Sequence, residues 1–302
     1  MNNWQSYQNG NYRVYINTQN GTKIRKNDLD FFEPEFPESL DIKLTNRCSH
    51  KCSMCHENST PDGKHGDILN TKFIDTLHPY TELALGGGNP LEHPDLEAFL
   101  YKCKDLKLIP SMTVHQGDFI ENIELLRRYR DEKLLYGLGV SITYVTDELI
   151  TLLKEFPNAV CHLIAGITSE TVLNKLAHND LKILILGYKI FRRGEDLYAK
   201  DSAMIDFGIQ YMYDILPKMI SEGWFNTISF DNLAIEQLKP SRLMSEKDYS
   251  EFFMGTDGSH TMYADLVKQE FAVGSTAKER FPLMDNIVDM FKKVREVSGN
   301  AK

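Results

Sequence analysis

Residues 40–55 read LDIKLTNRCSHKCSMC, and this stretch decides how the rest of the chain is interpreted. Its first six residues, 40–45, have the character of a β-strand. Cys48, Cys52 and Cys55 follow in a C-x3-C-x2-C spacing. Three thiolates this close together can ligate three irons of a 4Fe-4S cluster and leave the fourth iron open. The stretch therefore predicts a reaction site directly after a strand.

Strands and helices alternate through the residues that follow. Predicted strands cover residues 40–45, 82–85, 111–115, 136–143, 159–165 and 181–188. Predicted helices between them cover residues 71–77, 94–106, 120–130, 146–155 and 169–177. Strands with crossover helices indicate a parallel sheet, and right-handed crossovers curl such a sheet into an open barrel. We expect an α/β fold, a partial (βα)6 TIM-type barrel with a C-terminal α+β extension, whose site lies at the carboxyl ends of the strands.

Three regions are expected along the chain. Residues 1–37 form an N-terminal hairpin and connector, because Asn20-Gly21 is a strong hairpin turn signal. Residues 38–195 form the barrel core. Residues 196–302 form an extension that closes the barrel on the substrate side. Within it we predict helices at 204–220, 231–238 and 285–297, a strand at 227–230 and a hairpin of residues 261–267 and 270–273.

Composition narrows the classes of protein that the chain can represent. A formal net charge of −9 on 302 residues argues against a general binder of nucleic acids. No apolar run approaches the roughly twenty residues that cross a bilayer, and no secretory signal is visible, so we expect a cytoplasmic protein. Three of the five cysteines lie within one short stretch, which is typical of metal ligands in a reducing compartment.

A glycine-rich turn, Gly86-Gly87-Gly88-Asn89-Pro90, follows the second predicted strand. Consecutive glycines let a ligand approach backbone N–H and C=O groups closely. Beside the cysteine stretch, such a turn predicts a site for a ligand of the open iron. The alternative for the cysteines is a structural zinc ion completed by His50 or His56.

The remaining cysteines offer little support for a second metal site. Cys103 follows the helical spacing of its apolar neighbours, and Cys161 alternates with apolar residues along a strand. Both are therefore expected to pack in the core. The chain should hold one cluster, with no extension for auxiliary clusters.

The cysteine motif after the first strand and the glycine turn after the second resemble the radical S-adenosylmethionine (SAM) superfamily. The resemblance covers about residues 38–195. It implies that Cys48, Cys52 and Cys55 ligate a 4Fe-4S cluster whose open iron binds SAM. Reduction by one electron would then cleave SAM to methionine and a 5'-deoxyadenosyl radical, which abstracts hydrogen from a substrate.

The resemblance also implies a set of SAM contacts. Met54 fills the position before the last cysteine, near the adenine. Gly87, Gly88, Asn89 and Pro90 match the turn that binds the methionyl amine, although the superfamily more often has Glu in place of Asn89. Ser141 matches a ribose contact, and Gly166 with Ile167 matches an adenine contact. Further contacts with the SAM carboxylate or the substrate are expected among charged residues near the strand ends: Lys43, His115, Lys189, Arg192 and Arg193.

Function is therefore predicted at the level of reaction class. The expected protein is a radical SAM enzyme with one 4Fe-4S cluster and an electron donor such as flavodoxin or ferredoxin. A peptide or protein is the first expectation for the substrate, and a nucleotide-derived small molecule is the second. The alternative is a non-catalytic iron-sulfur or zinc-binding protein that retains the fold.

Overall fold

The computed structural model describes residues 3–29 and 31–299. Its first element is a small antiparallel sheet of β1 (Trp4–Asn9), β2 (Tyr12–Asn17) and β3 (Lys23–Lys26). The predicted hairpin is confirmed as β2 and β3, and Gly21 in its turn has a φ of +76°, which glycine adopts without strain. Strand β1 is an addition to the prediction.

The main sheet contains ten strands in the order β10-β9-β8-β7-β6-β5-β4-β11-β12-β13. They are β4 (Ser39–Thr45), β5 (Glu82–Gly87), β6 (Ile109–His115), β7 (Gly137–Ser141), β8 (Ala159–Ile164), β9 (Lys182–Leu186), β10 (Thr227–Phe230), β11 (Thr261–Asp265), β12 (Glu270–Ala272) and β13 (Phe281–Pro282). All six predicted barrel strands are present and pair in parallel in chain order. The predicted partial TIM-type barrel is therefore confirmed.

Two strands enlarge the barrel beyond the six that were predicted. Strand β10 pairs in parallel with β9 at one edge. Strand β11 pairs in parallel with β4 at the other side, and antiparallel with β12 as predicted for that hairpin. The C-terminal third of the chain thus adds strands to both sides of the predicted sheet.

The helices lie between the strands, with their ends set by local capping. They are α1 (Leu96–Asp105), α2 (Gln116–Glu121), α3 (Ile123–Asp131), α4 (Asp147–Lys154), α5 (Glu170–Leu176), α6 (Arg193–Ser221), α7 (Asn232–Leu238), α8 (Glu246–Phe252) and α9 (Ile287–Val297). The side chains of Thr146, Ser169 and Asp231 cap α4, α5 and α7.

Three predicted helices differ in detail. The segment at 71–77 is a short 3₁₀ helix, Lys72–Thr76. The helix predicted at 120–130 is two helices, α2 and α3, that meet at Asn122. The helix predicted at 204–220 begins earlier, at Arg193, and is kinked at Asp201, where the backbone leaves helical geometry. No helix in the described part of the chain is long and apolar enough to cross a membrane.

Strand β4 shows how the barrel wall is built. Leu40, Ile42 and Leu44 are fully buried against the surrounding helices. Asp41 and Lys43 alternate with them and therefore face the barrel interior. Gly86 of β5 pairs with Lys43 of β4, and a Cβ atom added at Gly86 would meet no atom within 4 Å. The barrel interior is therefore open at this position.

The N-terminal sheet packs at the end of the barrel away from the cysteines. Its buried side chains form a cluster with Ile109, the first residue of β6, and contact Tyr80 and Tyr136, which precede β5 and β7. These are the amino-terminal ends of the barrel strands. The carboxyl ends, where the cysteines follow β4, are left to form the candidate site.

Candidate active site at the carboxyl ends of the barrel strands

The cysteine loop follows β4 and is held by its own backbone. The Cys48 N–H donates to the Thr60 carbonyl at 2.9 Å, and the Cys55 N–H donates to the Cys52 carbonyl at 3.3 Å. All three cysteines of the motif are partly exposed, whereas Cys103 and Cys161 are 0% and 1% exposed. The loop therefore presents three accessible thiols and keeps them apart from the two core cysteines.

The electrostatics of the loop favour a bound cation. Burial raises the pKa of the Cys48 thiol, a backbone N–H at His50 opposes that rise, and the neighbouring Cys52 and Cys55 add to it. Burial and Cys55 likewise raise the pKa of Cys52. Three thiolates held this close repel one another until a positive centre binds them. The donor set therefore fits an iron-sulfur cluster.

A single zinc ion fits the loop less well. Tetrahedral zinc with bonds of about 2.3 Å holds its sulfur ligands about 4 Å apart. Among the described residues, the three sulfur atoms are not part of any metal-donor group whose members all lie within 4.8 Å. His50 contacts Asp118 and His56 contacts Lys189, so both histidines have partners outside the cysteine set.

The glycine turn packs directly against the start of the cysteine loop. The Gly88 N–H donates to the Thr45 carbonyl at 2.7 Å, and the Asn89 N–H donates to the Arg47 carbonyl at 2.8 Å. A Cβ atom at Gly88 would lie 2.0 Å from the Arg47 carbonyl oxygen, and Gly87 has a φ of +104°. Both glycines are therefore required by the contact that joins the turn to the loop.

Glu92 is a further link between the turn and the loop that the sequence prediction missed. Its carboxylate accepts hydrogen bonds from the Ser49 N–H at 3.0 Å and from Arg47 Nε at 3.1 Å. Asn89, by contrast, caps the short 3₁₀ helix that begins at Pro90, because its side-chain oxygen accepts from the Leu91 N–H at 3.2 Å. The carboxylate that follows the glycines thus lies three positions beyond the one that the superfamily pattern favours.

The other predicted SAM contacts lie at the same end of the sheet. Ser141 is the last residue of β7, and its partners in the parallel sheet are His115 of β6 and His162 of β8. Gly166 follows β8 with a φ of +87° and packs against Ile205 of α6, and Ile167 continues that turn. Met54 lies in the cysteine loop, and its carbonyl oxygen is 3.4 Å from the Cβ position of Gly194 in α6. The structure thus brings the ends of four barrel strands and the start of α6 around one opening.

The end of the cysteine loop is anchored by buried charges. Glu57 accepts a hydrogen bond from Lys43 Nζ at 2.8 Å and another from the Tyr263 hydroxyl at 3.2 Å. Arg192 donates to the Glu57 carbonyl at 3.0 Å. Burial alone would raise the pKa of Glu57, but Lys43 and its other cationic neighbours lower it. The carboxylate therefore stays ionised and ties the loop to β4, β11 and the start of α6.

The predicted basic residues mostly contact protein. Lys43 and Arg192 contact Glu57, and Arg193 donates to the Ser59 carbonyl at 2.9 Å. Lys189 Nζ lies 3.4 Å from His56 Nε2. Burial and the nearby Lys189 lower the pKa of His56 to about 3, so this histidine is neutral. Four of the five predicted basic or histidine contacts thus position the cysteine loop.

Two titratable residues inside the barrel were missed by the sequence prediction. Asp41 is reached by water from the open interior, yet protein surrounds it, and this burial raises its pKa to about 6. Lys189 opposes that rise, while Asp257 and Glu57 add to it. Burial lowers the pKa of His162 to about 4, and its ring lies over Gly139, where a Cβ atom would be 2.4 Å away. The interior therefore offers a carboxyl that binds a proton near pH 6 and a neutral imidazole.

Comparison with known proteins gives one related sequence. No protein-family model matches the chain. Over 123 residues the chain is 28% identical to the antilisterial bacteriocin subtilosin biosynthesis protein AlbA of Bacillus subtilis strain 168. The match covers 38% of this chain and 27% of AlbA, so it spans about a quarter of that relative.

Solved structures of SuiB from Streptococcus suis share the fold. The structure of SuiB bound to precursor peptide SuiA matches with a TM-score of 0.59 at 12% identity, over 96% of this chain and 87% of SuiB. The structure of SuiB bound to S-adenosylmethionine matches with a TM-score of 0.54 at 12% identity, over 90% of this chain and 81% of SuiB. These structures show that the chain shares the fold of SuiB, which agrees with the predicted partial barrel.

Proposed function

We propose that the protein is a radical SAM enzyme with a single 4Fe-4S cluster on Cys48, Cys52 and Cys55. The observation that supports this proposal is the close packing of the glycine turn against the accessible cysteine loop, which would bring a ligand-binding backbone next to the metal ligands. A structural metal site has no need of such a turn. When bound, the cluster and SAM would supply a 5'-deoxyadenosyl radical that abstracts hydrogen from the substrate.

The chain's own residues would bind and enclose these groups. The carbonyl groups of Gly87 and Gly88 would accept hydrogen bonds from the methionyl amine of SAM, next to Asn89 and Pro90. Ser141, Gly166, Ile167 and Met54 would line the nucleoside. Glu57 and Lys43 would fix the loop, and the surrounding strands would keep bulk water from the reacting atoms. Residues 38–195 would form this core, with the added strands on either side of it.

We propose a peptide as the substrate. SuiB, which shares the fold, was solved with its precursor peptide, and AlbA acts in the biosynthesis of a bacteriocin. The open barrel interior beside Gly86 gives a side chain of such a peptide room to enter. A flavodoxin or ferredoxin would deliver the electron.

Anaerobic reconstitution with iron and sulfide tests the reaction class. With dithionite and SAM, the reconstituted chain should release 5'-deoxyadenosine. Cys52→Ala should lose the cluster absorbance and the product, whereas Cys161→Ala, which alters a core cysteine, should keep both. A chain that holds a full cluster but releases no 5'-deoxyadenosine would contradict the proposal.

Deuterium transfer tests the substrate class. A deuterated cell extract, separated into peptide and small-molecule fractions, is added to the reconstituted enzyme, and 5'-deoxyadenosine is examined by mass spectrometry. Transfer of deuterium from the peptide fraction is expected. Transfer from the small-molecule fraction alone would refute a peptide substrate and leave the reaction class intact.

A further inference from the structure

A second cluster of metal-binding side chains lies beside the cysteine loop. His50, between Cys48 and Cys52 in the chain, directs Nε2 to Asp118 Oδ2 at 2.6 Å. Its ring lies against the ring of His115, with the centroids 4.0 Å apart. His115 is the last residue of β6, and Asp118 lies in the first turn of α2. The cluster therefore joins the cysteine loop, through His50, to the end of β6 and the start of α2.

The donor atoms of this cluster are close enough to share one ion. One ring nitrogen of each histidine and a carboxylate oxygen of Asp118 all lie within 4.8 Å of one another. Among the described residues this is the one group of three histidine, cysteine or acidic donors that meets this distance. Two imidazoles and a carboxylate suit Zn²⁺, Fe²⁺ and Co²⁺, with further positions left for water.

The side chains of this cluster make hydrogen bonds that a metal ion would compete with. Nδ1 of His115 accepts a hydrogen bond from the Gly117 N–H at 3.1 Å, so this nitrogen is unprotonated. An ion bound among the three side chains would take the place of the hydrogen between His50 Nε2 and Asp118 Oδ2. Bonds from three side chains to a metal ion would outweigh the loss of that hydrogen bond.

An ion can reach the cluster from outside. His50 and Asp118 line an open groove of about 670 Å³, and their side chains are 26% and 15% exposed. Glu92 and Glu121 also line this groove and add negative charge. Arg47 is a cation in its wall, and it is paired with Glu92. The groove therefore attracts a divalent cation to partly buried donors.

We propose that His50, His115 and Asp118 bind one divalent transition-metal ion, separate from the ions held by the cysteines. The ion would bridge the middle of the cysteine loop to the end of β6 and the start of α2. It would leave Cys48, Cys52 and Cys55 free for their own ligand.

Zinc titration of the full-length chain with Cys48, Cys52 and Cys55 changed to Ser tests this site. Calorimetry should show one Zn²⁺ bound. Asp118→Asn and His115→Gln should each weaken binding at least about tenfold. His178→Gln, which alters an exposed histidine outside the cluster, is the matched control and should bind as tightly as the parent chain. With Co²⁺, weak visible bands without thiolate charge-transfer absorption are expected.

A second measurement uses the chain with its cysteines intact. After iron-sulfur reconstitution and addition of zinc, elemental analysis should find zinc as well as iron, and His115→Gln should lose the zinc and keep the iron. No zinc binding in either measurement, or equal zinc binding in the site variants and the control, would overturn the proposal. The zinc titration involves neither SAM nor the cluster, so its outcome is independent of the proposed enzyme activity.

Discussion

Gly88→Ala tests the joint between the glycine turn and the cysteine loop. The added Cβ atom would lie 2.0 Å from the Arg47 carbonyl oxygen, and no real Cβ contact is shorter than 3.0 Å. The backbone of one of the two segments must therefore move by about 1 Å. That movement strains the hydrogen bonds from Gly88 to Thr45 and from Asn89 to Arg47, which are 2.7 and 2.8 Å long.

The expected loss in the free energy of unfolding is about 3 kcal/mol, of which overpacking contributes about 2 and weakened hydrogen bonds about 1. For a chain of this size, such a loss lowers the midpoint of thermal unfolding by about 5 °C. Gly86→Ala is the matched control, because its Cβ would meet no atom within 4 Å. We expect it to change stability by less than about 1 kcal/mol.

Urea unfolding of both variants, followed by circular dichroism, measures these differences. Absorbance after iron-sulfur reconstitution gives a second measurement, because a displaced loop should hold less cluster in Gly88→Ala than in Gly86→Ala. If the two variants unfold within about 0.5 kcal/mol of each other, the joint does not constrain the loop and the reasoning is wrong.

Two further predictions concern pH. Asp41→Asn should stabilise the protein at pH 8 by about 1 kcal/mol. Because the pKa of Asp41 is raised to about 6, its ionisation lowers the free energy of unfolding as pH rises through 6. The expected gain is smaller than the full pKa shift would give, because water reaches the side chain. Urea unfolding should show this gain vanishing below about pH 4, and a gain that persists at pH 3 would contradict it. Glu38→Gln should cost about 3 kcal/mol at pH 7: burial alone would raise the pKa of Glu38, but Lys23 and Arg25 lower it to about 2. This stability is present above about pH 4.5 and is lost as pH falls through 2, so a loss in the variant that does not shrink between those values would refute the assignment.

The barrel was predictable because its signals are local. Each of the six strands is a short run of strand-forming residues, and the crossover helices have apolar residues at helical spacing. Side-chain caps also mark the starts of α4 and α5, so neighbouring residues are enough to define these elements. The cysteine loop and the glycine turn were placed by the same argument, since both directly follow strands whose carboxyl ends lie at one edge of the sheet.

The contacts that complete the site were not predictable, because they join distant parts of the chain. Glu57 pairs with Lys43 and with Tyr263, and nothing in the sequence near Glu57 indicates either partner. Glu92 was missed because a carboxylate on a surface turn is ordinarily solvated. His115 was predicted to contact SAM or the substrate, and the structure places it beside His50.

The position of β11 affects the order in which the chain can fold during its synthesis. Strand β4, which leads into the cysteines, pairs with β5 on one side and with β11 (Thr261–Asp265) on the other. During synthesis β4 is therefore an open sheet edge until residue 265 has left the ribosome. An open edge can pair with other chains, and the cysteine loop that follows it then lacks the Tyr263 contact that anchors it. Cluster loading should accordingly be a late event, after the last third of the chain has folded against the first strand of the barrel.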